Sequence, residues 1–201
     1  MSPDISPPYV LTKPVADEQE YYALGEDSPF EFLDGRLVMS PSSYRQEDLG
    51  GFLIALARIW LEERGGGVVL GSRYPMRLDP RWSPEPDLLV VTDALRDRLL
   101  PTRLEGPAAF VVEIAPDGDP RLDEREKRPR YHQARIPEMW WISPQTGTVL
   151  VDQLDGDTYR TRRLTDGRLP SVVLPGFWIE VGWLWQDPLP STMACLRELL
   201  D

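Results

Sequence analysis

Two acidic side chains stand where a carboxylate is hard to keep. Asp87 follows Pro86 and opens the apolar run Leu88-Leu89-Val90-Val91, and Glu113 lies within Ala109-Phe110-Val111-Val112-Glu113-Ile114. A continuous apolar run suits a strand covered on both faces. A carboxylate embedded in such a strand is costly to bury unless it is paired or holds a cation. Two carboxylates on neighbouring strands repel one another unless positive charge lies between them. Oxygen donors of this kind suit Mg²⁺ or Mn²⁺. The same pattern arises when one acid caps a turn and the other faces solvent from a strand end, and the residues alone leave both readings open.

Lys127 adds a second component. Of the 22 basic residues only Lys13 and Lys127 are lysines. Where arginine is the usual base, a lysine supplies what arginine does not, a compact ammonium that can meet a water or a phosphate oxygen without a rigid fork. Other chemistries are harder to build. His132 is the only histidine, so a serine-histidine-aspartate triad would have to use it, and no G-x-S-x-G elbow accompanies it. Beside Tyr131 in a basic segment, His132 reads as a helix-face residue. Gly65-Gly66-Gly67 lacks the Lys-Ser or Lys-Thr of a phosphate loop and reads as a helix stop. Cys195 is the single cysteine, which leaves no intramolecular disulfide and no cysteine-based zinc site and fits a reducing cytoplasm.

The elements that must position these groups follow from pattern. Asp34-Gly35 between Phe30–Leu33 and Arg36–Met39 is a hairpin signal. Leu49, Phe52, Leu53, Leu56, Ile59 and Trp60 at helical spacing predict a helix over 45–64. Short strands are expected at Val68–Leu70, Tyr74–Leu78, Leu88–Val91, Ala109–Ile114 and Met139–Ile142, with a short helix over Ala94–Leu100. Asp119-Pro120 reads as an N-cap followed by proline at the first helical position, opening a charged helix towards Arg135 that Pro129 should kink or split. Val149–Leu154 and Tyr159–Leu164 form a second hairpin around Asp155-Gly156-Asp157, Phe177–Val181 a last strand, and Ser191–Leu200 a terminal helix. Trp140 and Trp141 alternate on one strand, which predicts one in the core and one half exposed. Trp178, Trp183 and Trp185 fit either a dimer face or a small C-terminal cluster. Arg160, Arg162 and Arg163 read as a solvated hairpin face.

The sum is an α/β fold, a mixed sheet flanked by helices. The 201 residues suit one domain: an acidic, proline-rich arm over 1–27 (a loose segment or a short lead-in helix), a core over 28–185, and a C-terminal helix over 186–201 packed on it. No transmembrane run and no secretory leader pattern is expected. The net charge of −11 argues against a nucleic-acid partner, yet 121–135 is locally basic, with Arg121, Arg125, Lys127, Arg128, Arg130 and Arg135 against Asp123, Glu124 and Glu126.

In order, Phe30–Met39, Pro86–Val91, Phe110–Pro116, Glu126-Lys127 with Tyr131, Ile136–Trp140 and Leu174–Phe177 resemble the Uma-type restriction endonuclease family of the PD-(D/E)XK nuclease superfamily, over roughly residues 28 to 181. The resemblance implies a restriction-endonuclease-like core with hairpins at both ends and metal-assisted hydrolysis of DNA phosphodiesters. It implies that Asp87 and Glu113 hold Mg²⁺ or Mn²⁺ with the Ile114 carbonyl as a third oxygen, that Lys127 orients the attacking water or stabilises phosphate charge, and that Glu31 completes the shell through water. A homodimer would suit the cutting of two strands.

Three departures stand out. Ala115 occupies the usual lysine position two residues after the glutamate, which is why Lys127 is proposed. Pro129 follows Lys127 closely enough to displace it. The segment Ser42-Ser43-Tyr44-Arg45-Gln46 lacks the histidine of many relatives, leaving Arg45 or Gln46 to replace it. These departures and the acidic N-terminal third motivate a rival expectation, a nuclease fold retained as a binding or regulatory module. A third, a glycosidase, would need its two acids at a sugar cleft with aromatic platforms.

Overall fold

The structure, a computed structural model, describes residues 11–14, 17–25, 28–39, 42–115 and 123–201. From the N-terminus the elements are β1 (Leu11–Pro14), α1 (Glu18–Tyr22), β2 (Glu31–Leu33), β3 (Arg36–Met39), the long helix α2 (Tyr44–Arg64), β4 (Gly67–Gly71), β5 (Met76–Arg77), β6 (Trp82–Ser83), β7 (Leu88–Thr92), β8 (Leu104–Glu105) and β9 (Phe110–Ile114). A π-helical turn over Asp123–Lys127 runs into α3 (Arg128–Gln133). Then come β10 (Glu138–Ser143), β11 (Thr148–Asp155), β12 (Thr158–Leu164), β13 (Arg168–Pro170), β14 (Trp178–Glu180) and α4 (Thr192–Leu200).

Six strands in the order β12-β11-β10-β9-β7-β4 make a mixed central sheet, in which β9 and β10 are parallel and every other neighbouring pair is antiparallel. The continuous apolar runs are explained by cover on both faces. Leu88, Val90, Phe110 and Val112 face α2, whose Leu49, Phe52, Leu53, Leu56 and Trp60 close one core with α4 and the C-terminal strands. Leu89, Val91 and Val111 face the other way, onto Tyr131, Ile136, Met139 and Trp141. Each leucine fully buried by α2 contributes about 2 kcal/mol of apolar transfer. Helix α2 begins with the Ser43 hydroxyl accepting from the Gln46 backbone N–H and ends at Gly65, whose φ of 73° lets the chain reverse.

A smaller sheet, β1-β3-β2-β6, carries the first hairpin. Asp34 and Gly35 both have positive φ (50° and 73°), the two-residue turn whose twist matches paired strands. Within the N-terminal segment β1 pairs with β3, and Asp17 caps α1 through the N–H groups of Gln19 and Glu20. The lead-in helix was expected; the strand was not, because nothing in Leu11–Pro14 alternates.

Other expectations are narrowed. Only Met76–Arg77 of the run Tyr74–Leu78 is a strand, and the short helix at 94–100 is a 3₁₀ helix over Asp93–Arg98. Trp140 and Trp141 are both buried, since neither face of β10 meets solvent. Trp178 and Trp183 pack ring to ring, 5.5 Å apart, against the main core, with Trp185 partly buried beside them. Arg160, Arg162 and Arg163 lie exposed on β12. The Asp119-Pro120 cap lies outside the described residues. Among the described residues no helix is long and apolar enough to cross a membrane.

Candidate active site

The β7–β9 ladder pairs Leu88 with Val112. One step further along the same register, Asp87 stands opposite Glu113, and opposite residues of an antiparallel pair share a face. Asp87 Oδ2 accepts a 2.6 Å hydrogen bond from the Ile114 backbone N–H. The two acids therefore share one face of the sheet.

Lys127, 4% exposed, reaches the same place from the far end of the π-helical turn. Its Nζ lies 3.0 Å from Glu31 Oε2 and 3.2 Å from Glu113 Oε2. Pro129 does not displace it. The α-helix begins at Arg128, so the proline falls in the first turn, where no intrahelical N–H is required. Arg128 donates to Asp152 on β11 at 2.7 and 2.8 Å, which clamps the start of α3 and with it the lysine. Tyr131, one turn further on, donates to Glu113 Oε1 at 2.5 Å and fixes that carboxylate from the opposite side to solvent. Burial and the adjoining Glu113 push the Tyr131 hydroxyl well above its ordinary range, so it acts as a permanent donor.

Of Arg45 and Gln46, only Gln46 reaches the cleft. Its Nε2 lies 3.0 Å from the Ile114 carbonyl oxygen and 3.4 Å from Asp87 Oδ1. Its Oε1 is buried and meets no donor among the described residues. Arg45 turns away and donates to the Leu184 carbonyl at 2.6 Å.

Sequence reasoning missed Glu85. It stands two residues before Asp87, its backbone N–H donates to Glu31 Oε2 at 3.3 Å, and its carboxyl accepts from the Tyr21 hydroxyl at 2.7 Å. Burial first, then the nearby Glu31 charge, raise its carboxyl to about 7, against the lowering pull of Tyr21 and Lys127. The signal was available: Ser83-Pro84-Glu85-Pro86-Asp87 is a second acid held in an extended, proline-braced segment.

Glu31, Glu85, Asp87, Glu113, Lys127 and Gln46 line one cleft of about 310 Å³, with Ser42, Glu47, Ser72 and Arg73 at its margins. Among the described residues no three acidic, histidine or cysteine side chains already stand grouped as a metal shell, and the Lys127 ammonium bridges two of the carboxylates. What the cleft does hold is a surplus of oxygen donors with the carbonyl of Ile114 beside them.

His132 stays out of the cleft. Its ring stacks on Tyr159 at 3.9 Å and its Nε2 lies 3.0 Å from Asp152.

The model of the Uma2 family, described as "Putative restriction endonuclease", matches residues 18–182. The chain belongs to the Uma2 family. Among solved structures it is similar to "a putative nuclease belonging to DUF820" from Anabaena variabilis ATCC 29413, with a TM-score of 0.69 and 14% identity over 85% of this chain and 98% of that one. At that identity the likeness carries the fold, a restriction-endonuclease-like mixed sheet between helices, which is the architecture described above. No curated protein matches. In this Uma2 chain the family match takes in α1, the β2–β3 hairpin that supplies Glu31 and all six central strands, and leaves out β1.

Proposed function

We propose that this Uma2 protein is a metal-dependent endonuclease that hydrolyses DNA phosphodiester bonds through a PD-(D/E)XK-type site. The observation that carries the reading is the convergence of Asp87, Glu113 and Lys127, from two strands and a helix start, on one cleft. Glu31, Glu47, Glu85, Asp87 and Glu113 line that cleft with Lys127 and Arg73, and the buried Gln46 Oε1 meets no donor among the described residues. Hard oxygen donors, excess negative charge and an orphan acceptor fit a small divalent cation. Asp87, Glu113 and the Ile114 carbonyl would hold it. When bound, Mg²⁺ or Mn²⁺ supplies Lewis-acid polarisation of the phosphoryl group and a source of hydroxide near neutral pH.

The chain's own residues do the rest. Lys127 offers a compact positive charge to the attacking water or to a non-bridging phosphate oxygen. Glu31, 3.0 Å from that ammonium, keeps it aimed into the cleft. Tyr131 prevents Glu113 from turning towards the core. Arg73, exposed at the margin, meets the entering backbone.

Incubation of purified protein with supercoiled plasmid and Mg²⁺ or Mn²⁺ tests the reading. Nicked and linear products are expected from the native chain and not from Asp87→Ala or Glu113→Ala. Cleavage that persists in both variants overturns it.

A further inference from the structure

A second hollow, of about 290 Å³, adjoins the carboxylate cleft and shares two of its walls, Arg73 and Glu85. Its other walls include Tyr21, Tyr22, Tyr74 and Pro75. The tyrosines are unequal. Tyr21 is buried, and its hydroxyl is spent on Glu85. Tyr22 and Tyr74 are partly exposed, and each ring is pinned by its hydroxyl: Tyr22 is 2.8 Å from Ser83 Oγ, and Tyr74 donates to the Leu100 carbonyl at 2.5 Å. The Arg103 guanidinium lies 4.8 Å from the Tyr22 ring centroid and steadies it further. Tyr22 also packs against Tyr21, with ring centroids 4.8 Å apart. Both walls are half-buried and ordered, with part of each ring left at the hollow, and a platform already ordered loses little freedom on binding a flat ligand. The volume suits one heterocyclic base, every base has a face that stacks on an aromatic ring, and Glu85 presents a carboxyl to a base edge.

We propose that this hollow receives one unpaired nucleobase of the strand whose phosphate lies in the carboxylate cleft, with Tyr22 and Tyr74 as its stacking walls and Arg73 gripping the backbone between the two cavities. The inference rests on the reading of the cleft as a phosphodiester site and names what that site recognises beside the phosphate. It assigns a role to α1, a helix of five residues that brings Tyr21 and Tyr22 to the mouth of the cleft.

The test compares a labelled oligothymidylate of about ten nucleotides with an abasic oligomer of equal length and charge, by fluorescence anisotropy in Ca²⁺. The native protein is expected to bind the oligothymidylate about five- to a hundredfold more tightly, the range for one stacked base. Tyr22→Ala and Tyr74→Ala should erase that preference while leaving the abasic affinity in place. Tyr22→Phe and Tyr74→Phe, which keep the rings, should retain it, so a fold lost in the alanine variants cannot imitate the result. Equal affinity of the native protein for the two oligomers overturns the base site and leaves the phosphodiester reading standing. Failure to bind either oligomer or any duplex overturns both. A duplex with one mismatched thymine supplies the last arm: tighter binding than the matched duplex assigns the base to a nucleotide swung out of a helix, and equal binding assigns it to a single strand.

Discussion

Glu113 and Asp152 are both buried acids on the central sheet, two strands apart, and they are treated in opposite ways. Asp152 on β11 is saturated: it accepts from Arg128 Nε and Nη2, from Trp141 Nε1 and from Thr161 Oγ1, and it faces His132. Glu138 on β10 is held likewise, by Trp140, Gln153, Ser171 and the backbone N–H groups of Val172 and Val173. Glu113 accepts from the Tyr131 hydroxyl on its core side, shares the Lys127 ammonium with Glu31, and borders a cleft lined by three more carboxylates, Glu47, Glu85 and Asp87. An acid surrounded by donors holds a fold together. An acid gathered with other acids leaves attraction for a cation, at a cost in stability that only function offsets.

The largest expected effect separates the two classes directly. Glu113→Gln should lower plasmid cleavage about a thousandfold or more, because the lost interaction is worth several kcal/mol in the transition state, while the midpoint of urea unfolding stays near the native one. Asp152→Ala should do the reverse in first order: about 3 kcal/mol of stability lost, since Arg128 keeps its charge without its partner, read as a shifted denaturation midpoint. A Glu113→Gln protein that unfolds far more easily than the native one would place Glu113 with the structural acids.

The acid limb gives the next effect. Burial raises the Asp152 carboxyl, but the hydrogen bonds from Arg128, Thr161 and His132 outweigh it and bring it to about 2, from an ordinary 3.8. A group lowered in the folded state binds fewer protons there, so its stabilisation is complete above pH 3.8 and is lost as the pH falls towards 2. Solvent near Arg128 holds the amount to about 2 kcal/mol or less. Stability measured against pH should steepen over that window in the native protein and flatten in Asp152→Asn.

Metal titration sharpens the contrast from the other side. Calorimetry with Mn²⁺ should give heat with the native chain, none with Asp87→Ala, and an unchanged signal with Glu138→Gln. The smallest effect is local: Ser43→Ala removes the cap of α2 and should cost about 1 kcal/mol, with weaker Mn²⁺ binding because the Ser43 hydroxyl accepts from the backbone N–H of Gln46 itself, the third residue of the helix.

The acids Asp87 and Glu113 were readable because one charge stands at the head of an apolar strand and the other inside one. Lys127 was readable from composition, since arginine is otherwise the rule. What could not be read were contacts made across long separations in the chain. Gln46 reaches Ile114 and Asp87 from a helix whose pattern reports only its apolar stripe, and Tyr131 to Glu113 is a hydrogen bond that no periodicity encodes. Glu85 was overlooked because prolines on either side give it the look of a loop. Leu11–Pro14 shows no alternation, so its pairing with β3 comes from the partner strand rather than from its own pattern.

Glu31 arrives on a sheet whose apolar contacts, Phe32 with Tyr21 and Leu37, and Leu33 with Val38 and Trp82, are small clusters apart from the two main cores. Few buried contacts mean a low free energy of local opening. On heating, that outer ribbon should come loose while the six-stranded core still holds, so the working half of the molecule has a lower melting point than its scaffold. Inactivation would then precede the loss of far-ultraviolet ellipticity, and cooling from the interval between them would restore activity without refolding the domain.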